Sequence, residues 1–196
     1  LLCAYELLRA GRVSRIEVYR LNAEAGREIG FLPGALNEKM APWAKPIIDN
    51  LDFIMRRLHS GARFTHQLAD HQGEKGERGE KRDNAHPTVE TLLESKALEI
   101  APINYLRGRS IHDTAIIVDD AQNLTQEDMK LVLTRAGEGS RVILTGDPDQ
   151  TDLLPELSGL AAIGQKLDGL DDVSVVRLGH EDVVRHPLVG RMLSVL

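Results

Sequence analysis

Apolar positions along this chain recur in two rhythms, and the alternation between them predicts helices and strands in turn. Leu1, Cys3, Ala4, Leu7 and Leu8 fall on or near one helical face, so the chain opens in a helix that reaches Arg9 and stops at Ala10-Gly11. Ile16 to Tyr19 is β-branched and aromatic, the pattern of a strand ending at Arg20. Residues 25–34 are rich in loop formers. Helical spacing then returns from Asn37 to His59 through Met40, Ile47, Leu51, Ile54, Met55 and Leu58, with Trp43 as its anchor. From Gln72 to Asn84 the charges alternate among three glycines with no apolar residue, which predicts a mobile, solvated loop over 72–84. A helix over Val89 to Lys96 and a strand over Ala97 to Ile103 follow, Pro102 limiting how that strand can pair.

The pattern sharpens at Thr114. Ala115-Ile116-Ile117-Val118 is an uninterrupted apolar run ending in Asp119-Asp120, as expected of a strand buried on both faces whose carboxyl end meets water. Thr125 caps a helix reaching Arg135 and stopping at Gly137, and Asp128 stands where a capping-box acid would. Arg141 to Thr145 reads as a second buried strand. Ser158 to Leu167 is a helix, Val173 to Leu178 a third strand of this half, and Pro187 opens a last helix to Val195. Strands alternating with helices predict an α/β fold: a parallel sheet with flanking helices, and a ligand site at the carboxyl ends of its strands.

Composition narrows the class without naming a partner. The 196 residues carry 24 Lys plus Arg against 30 Asp plus Glu, a net charge of −6, which suits one globular domain over 1–196 and argues against a surface that coats nucleic acid everywhere. The lone Cys3 excludes an intramolecular disulfide and Cys-based zinc sites, and its place in the first helix predicts a buried apolar role. No apolar run approaches the roughly 20 residues of a membrane span, and nothing near Leu1 reads as a signal peptide, so a cytoplasmic location without membrane contact is expected. The seven histidines show no metal-site spacing, and no Gly-x-Ser-x-Gly string points to acyl transfer.

Two strand ends carry candidate chemistry. Asp119, ending a buried strand, can hold magnesium through water, and Asp120 beside it can orient an attacking water. The same acids can equally solvate the strand tip or cap the next helix. In Thr145-Gly146-Asp147-Pro148-Asp149-Gln150, Gly146 admits a close ligand, Asp147 can join the hydrated ion, and Gln150 can both donate to and accept from phosphate or water. A Gly-Asp-Pro string is also a plain β-turn.

These segments carry a resemblance. Ile117 to Thr125, Leu133 to Gly137 and Val142 to Asp147 closely resemble the PhoH family of ATPases. So do Glu24 to Gly26, Gly30 to Gly34, Tyr105 to Arg109 and Asp182 to Val189. The likeness covers nearly the whole chain, failing mainly over 72–84. It implies a P-loop NTPase core, RecA-like and related to superfamily 1 helicases, with ATP and Mg2+ as cofactors and ring-shaped homo-oligomers, a hexamer among them. Carried over by position, Asp119 matches the magnesium aspartate of the Walker B strand. Asp120 stands where the family usually has a catalytic glutamate, one methylene longer. Gln150 and Asp147 match the γ-phosphate-sensing motif, with Gly146 before them. Arg20, by the same resemblance a cofactor-binding residue with Asp147 and Gly146, matches an arginine that the family follows with Pro, where this chain has Leu21. Arg185 is the candidate arginine finger acting across an oligomer, or else an ordinary ion pair before a helix. Arg107 and Arg109 face phosphate or nucleic acid, or tie their loop to a neighbouring subunit.

No Gly-x-x-x-x-Gly-Lys-Ser/Thr phosphate cradle occurs in the chain. The family's Walker A helix would run into sequence like Leu1 to Leu8, and the chain starts in mid-helix without Met or N-cap. An N-terminally truncated domain is therefore expected, with the cradle upstream of residue 1 and the piece alone inactive. The function implied is ATP binding and hydrolysis coupled to RNA remodelling or processing. The alternative is a non-catalytic oligomeric scaffold, or an RNA-binding module, with a degenerate nucleotide pocket.

Overall fold

The computed structural model describes residues 1–21, 44–59, 87–154 and 157–179, with the single positions 182, 184 and 192. Among the described residues four strands form one sheet in the order β2-β1-β3-β4: β1 (Arg15–Arg20), β2 (Leu98–Pro102), β3 (Thr114–Asp119) and β4 (Arg141–Leu144). Every pairing is parallel, and the register sets Arg20 opposite Asp119 on one side and Pro102 on the other. β1 and β3 are central, hence their unbroken burial. Pro102 closes β2, which has a neighbour on one side only among the described residues, as a proline in a ladder requires.

Side chains alternate across the sheet and build two cores. Ile16, Val18, Ala115, Ile117 and Leu98 face α1 (Leu2–Arg9), α2 (helical residues 44–59) and α3 (Val89–Glu94), meeting Ala4, Tyr5, Ile47, Leu51, Met55, Val89 and Leu92. Tyr19, Ile116 and Val118 face the other way, toward Leu124, Met129 and Val132 of α4 (Gln126–Leu133) and its approach, with Leu160 and Ile163 of α5 (Gly159–Leu167) packed alongside. The result is a helix–sheet–helix sandwich with its strand tips free.

Local chemistry fixes the helix ends. Thr125 and Asp128 form the expected capping box at the start of α4, each side chain bonding the other's backbone N–H. α3 ends at Glu94, short of the predicted Lys96, because the Ser95 hydroxyl donates to the Thr91 carbonyl at 2.7 Å and Lys96 turns left-handed. At α5 the Gly159 amide donates to the Leu124 carbonyl. A Cβ on Gly159 would stand 2.6 Å from the Thr125 carbonyl oxygen, so only glycine lets the two helices begin this close together.

Three expectations are corrected. Cys3 is exposed, because the buried stripe of α1 runs through Ala4 and Tyr5, flanked by Leu1 and Leu8, and Cys3 lies on the far side of that wheel. β4 is half-buried to exposed rather than buried, since it has a described neighbour only in β3. Val173 to Leu178 forms no strand. Val176 and Leu178 are 78% and 79% exposed, and a β-branched run becomes a strand only where a neighbour completes the ladder, which no described residue does here. Trp43, residues 37–43, the 72–84 loop and nearly all of the expected last helix lie outside the described residues.

Candidate functional site

The register of β1 and β3 brings Arg20 and Asp119 side by side at the carboxyl edge, on the face that carries α1. Arg20 Nε stands 3.4 Å from Asp119 Oδ2, and Arg20 Nη2 pairs with Asp120 Oδ2. Asp120 reaches back to that guanidinium because its backbone turns left-handed (φ 54°, ψ 40°), a conformation Asp tolerates better than most residues. The other oxygen of Asp119 accepts a 3.0 Å hydrogen bond from the Thr145 hydroxyl. Thr145 is itself held by two backbone bonds that prolong the β3–β4 ladder, its N–H donating to the Val118 carbonyl at 2.9 Å and its own carbonyl accepting from Ala121 at 2.8 Å.

The second tip is a self-contained turn. Asp147 Oδ1 accepts from the Asp149 amide at 3.0 Å and Oδ2 from Gln150 Nε2 at 2.7 Å, closing a short 3-10 turn over Pro148–Gln150. Both oxygens of the expected ligand Asp147 thus already serve its own turn. Gln122 locks that turn to the first tip: buried to 6% exposure, it accepts the Asp147 N–H through Oε1 at 3.3 Å, while its carbonyl accepts the Thr151 hydroxyl at 2.9 Å. Gly146 fits because it lacks a side chain. A Cβ there would stand 2.5 Å from Gln122 Oε1 and 2.9 Å from the Gln122 nitrogen. Arg20, Asp119 and Asp120 thus form one cluster and Asp147 and Gln150 another, joined through Thr145 and Gln122.

Thr145 and Gln122 are the residues that sequence reasoning missed. Both lie inside motifs read for their neighbours, and the one clue was a polar Gln122 between Ala121 and the cap Thr125, where a buried side chain must find partners. Arg109 has an intrachain role. It donates to Tyr19 Oη at 2.8 Å and to Glu17 Oε1 at 3.0 Å, beneath the opposite face of the sheet. Arg107 is exposed. Arg185 lies outside the described residues.

The donor set suits magnesium of one kind only. Among the described residues no three His, Cys, Asp or Glu side chains gather into a cage. Magnesium, however, keeps most of its water and takes one or two carboxylates plus phosphate oxygens, and the half-exposed Asp119 with the adjacent Thr145 hydroxyl offers that hard-oxygen edge. The residues fit a cation completed by water and phosphate. They do not fit a dedicated protein-built site.

An all-parallel sheet between helix layers, with an arginine at the tip of one central strand, two acids at the tip of the other and a polar turn beyond the next, is consistent with the architecture of the P-loop nucleoside triphosphatases. The family model described as PhoH-like protein matches residues 1–196, and the chain belongs to the PhoH family. It is 38% identical over 192 residues to a PhoH-like protein of Bacillus subtilis, covering 97% of this chain and 51% of that protein. Protein PhoH of Escherichia coli is 37% identical over 191 residues, 97% of this chain and 46% of that one. A PhoH-like protein of Synechocystis is 36% identical over 193 residues, 97% and 50%. The chain spans about half the length of these relatives. No helix among the described residues is long and apolar enough to cross a membrane.

Proposed function

We propose that this chain is the Walker B and sensor part of an ATPase that binds MgATP, hydrolyses it and couples the energy to work on RNA. The observation that carries the reading is the meeting of Asp119, Arg20 and Thr145 at adjacent strand tips, a hard-oxygen edge beside a cation that can receive phosphate. When bound, the metal would neutralise charge developing on the phosphates. Asp119 holds its water shell. Asp120 orients the attacking water, Gln150 and Asp147 register the γ-phosphate end, Gly146 keeps their turn close, and Arg185 reaches a neighbouring subunit's site in a ring. The phosphate-cradling loop belongs, on this reading, to the longer protein, upstream of Leu1, and the cytoplasm is where it works.

The test is Asp119→Asn in the full-length protein, followed by MgATP binding, hydrolysis and sedimentation. We expect hydrolysis to fall at least about a hundredfold, because the charge that positions the metal is gone, with the assembly unchanged. Wild-type hydrolysis in that variant would sink the reading. One observation favours the scaffold alternative: Asp120, the candidate base, is already engaged by Arg20. A scaffold keeps its assembly and its cellular role without Asp119.

A further inference from the structure

Both oxygens of Asp119 have partners within the chain, Thr145 Oγ1 on one and Arg20 Nε on the other. The same guanidinium reaches across to Asp120. Arginine is suited to this, since its planar fork offers separate N–H donors to two acceptors, whereas a lysine ammonium is a point charge. Arg20 is also the last residue of β1, at 25% side-chain exposure, so its long side chain stands at the rim of the sheet and can turn toward solvent without disturbing either core.

We propose that Arg20 is a built-in counter-cation for the strand-tip acids: it occupies Asp119 and Asp120 in the nucleotide-free protein, gives way when a hydrated divalent cation settles on Asp119, and then serves the anionic phosphates that arrive with that cation. The inference rests on the reading of Asp119 as the metal-holding residue. Its physical basis is competition. A guanidinium and a divalent cation repel, and both draw on the charge of the same carboxylate, the ion directly or through its water shell, so each weakens the other's hold on Asp119. Metal alone therefore binds poorly, because it must displace an intramolecular partner and leave that positive charge beside it. Metal arriving with a triphosphate binds well, because the displaced guanidinium gains phosphate oxygens in place of carboxylate ones. One residue thereby makes the site selective for the metal–nucleotide complex over free metal.

The experiment measures Mn2+ affinity of the full-length protein by the loss of the free-ion paramagnetic resonance signal, first with no nucleotide and then with a non-hydrolysable ATP analogue. Without nucleotide, Arg20→Gln is expected to bind Mn2+ about fivefold more tightly than wild type, the size of a partly exposed ion pair. Arg20→Lys keeps the charge and loses the fork, so it should lie between the two. With the analogue the order reverses, and Arg20→Gln should bind the complex about tenfold more weakly, having lost a charge-assisted bond to phosphate. Arg20→Lys also guards against a glutamine variant that fails to fold, which circular dichroism would reveal. Mn2+ affinity that depends on Asp119 but is the same in wild type and Arg20→Gln overturns the counter-cation. Arg20→Lys matching wild type without nucleotide would uphold the counter-cation through charge alone and overturn the part assigned to the guanidinium fork. Indifference of Mn2+ binding to Asp119→Asn would instead bring down the metal-site reading, and this inference with it.

Discussion

β1 carries two arginine–carboxylate clusters, one on each face, and they differ in burial more than in chemistry. On the α4 face, Glu17 is 1% exposed, accepts from Tyr19 Oη and from Arg109 Nη2 at 3.0 Å, and forms an ion pair with Arg15, whose Nε stands 2.9 Å away. On the α1 face, Arg20, Asp119 and Asp120 are 25%, 38% and 50% exposed. A buried acid with three partners cannot exchange one without leaving a charge stranded in low dielectric, whereas a half-exposed one can trade a guanidinium for water or a cation at little cost. The same residue types therefore brace the sheet on one face and stay exchangeable on the other. Solvent access separates structure from candidate function here.

The comparison breaks most easily at Glu17. Glu17→Ala should destabilise the domain by about 3 kcal/mol, the lower end for breaking a buried pair because Arg109 keeps some solvent contact. Urea unfolding would show it, and a loss under about 1 kcal/mol would mean that the buried cluster is no brace. Next in size is Gly146→Ala, whose Cβ collides with Gln122. We expect about 1 to 3 kcal/mol of destabilisation from overpacking, together with slower hydrolysis in the full-length protein as the Asp147–Gln150 turn shifts.

Alkaline pH tests the buried cluster without a truncation. Burial, then the hydrogen bond to Glu17, push the Tyr19 hydroxyl well above its ordinary value of 10.0, and burial raises Tyr5 as well. Above pH 10 the unfolded chain releases protons that the folded chain keeps, so stability present below that pH is lost as pH rises. A single tyrosine contributes a slope of about 1.4 kcal/mol per pH unit. Tyr19→Phe should flatten the fall in urea midpoint between about pH 10 and 11 by that one-proton share. An unchanged slope would show that Tyr19 is not the group being held neutral.

The same contrast explains what could be read in advance. Ala115 to Val118 was legible because burial on both faces leaves an unbroken apolar run, and Thr125 with Asp128 because a capping box is a local pattern. Asp119, Asp120, Asp147 and Gln150 were legible as acids and amides at strand ends. Glu17 was not, since inside Ile-Glu-Val-Tyr it looks like the polar half of a strand, and the arginine that buries it comes 92 residues later. Gln122 and Thr145 escaped for the same reason, as their roles exist only once two strand tips stand together. Val173 to Leu178 misled because a strand pattern states a preference that only a neighbour can fulfil.

Asp120→Glu is the smallest change and the sharpest on the exposed side. Residue 120 sits at φ 54°, where Asp is tolerated through its short side chain and Glu is not favoured, so the variant should lose up to about 1 kcal/mol. It also moves the carboxylate outward by one methylene, toward the reach of the glutamate usual in the family. If Asp120 orients the attacking water, that added reach should raise hydrolysis by the full-length protein by up to about a hundredfold, the scale at which an ångström matters to a positioned group. The two readouts move in opposite directions, so instability cannot imitate a gain in rate. Hydrolysis that stays flat or falls while the fold holds would place the water-orienting group elsewhere, and leave Asp120 as the second carboxylate that Arg20 bridges.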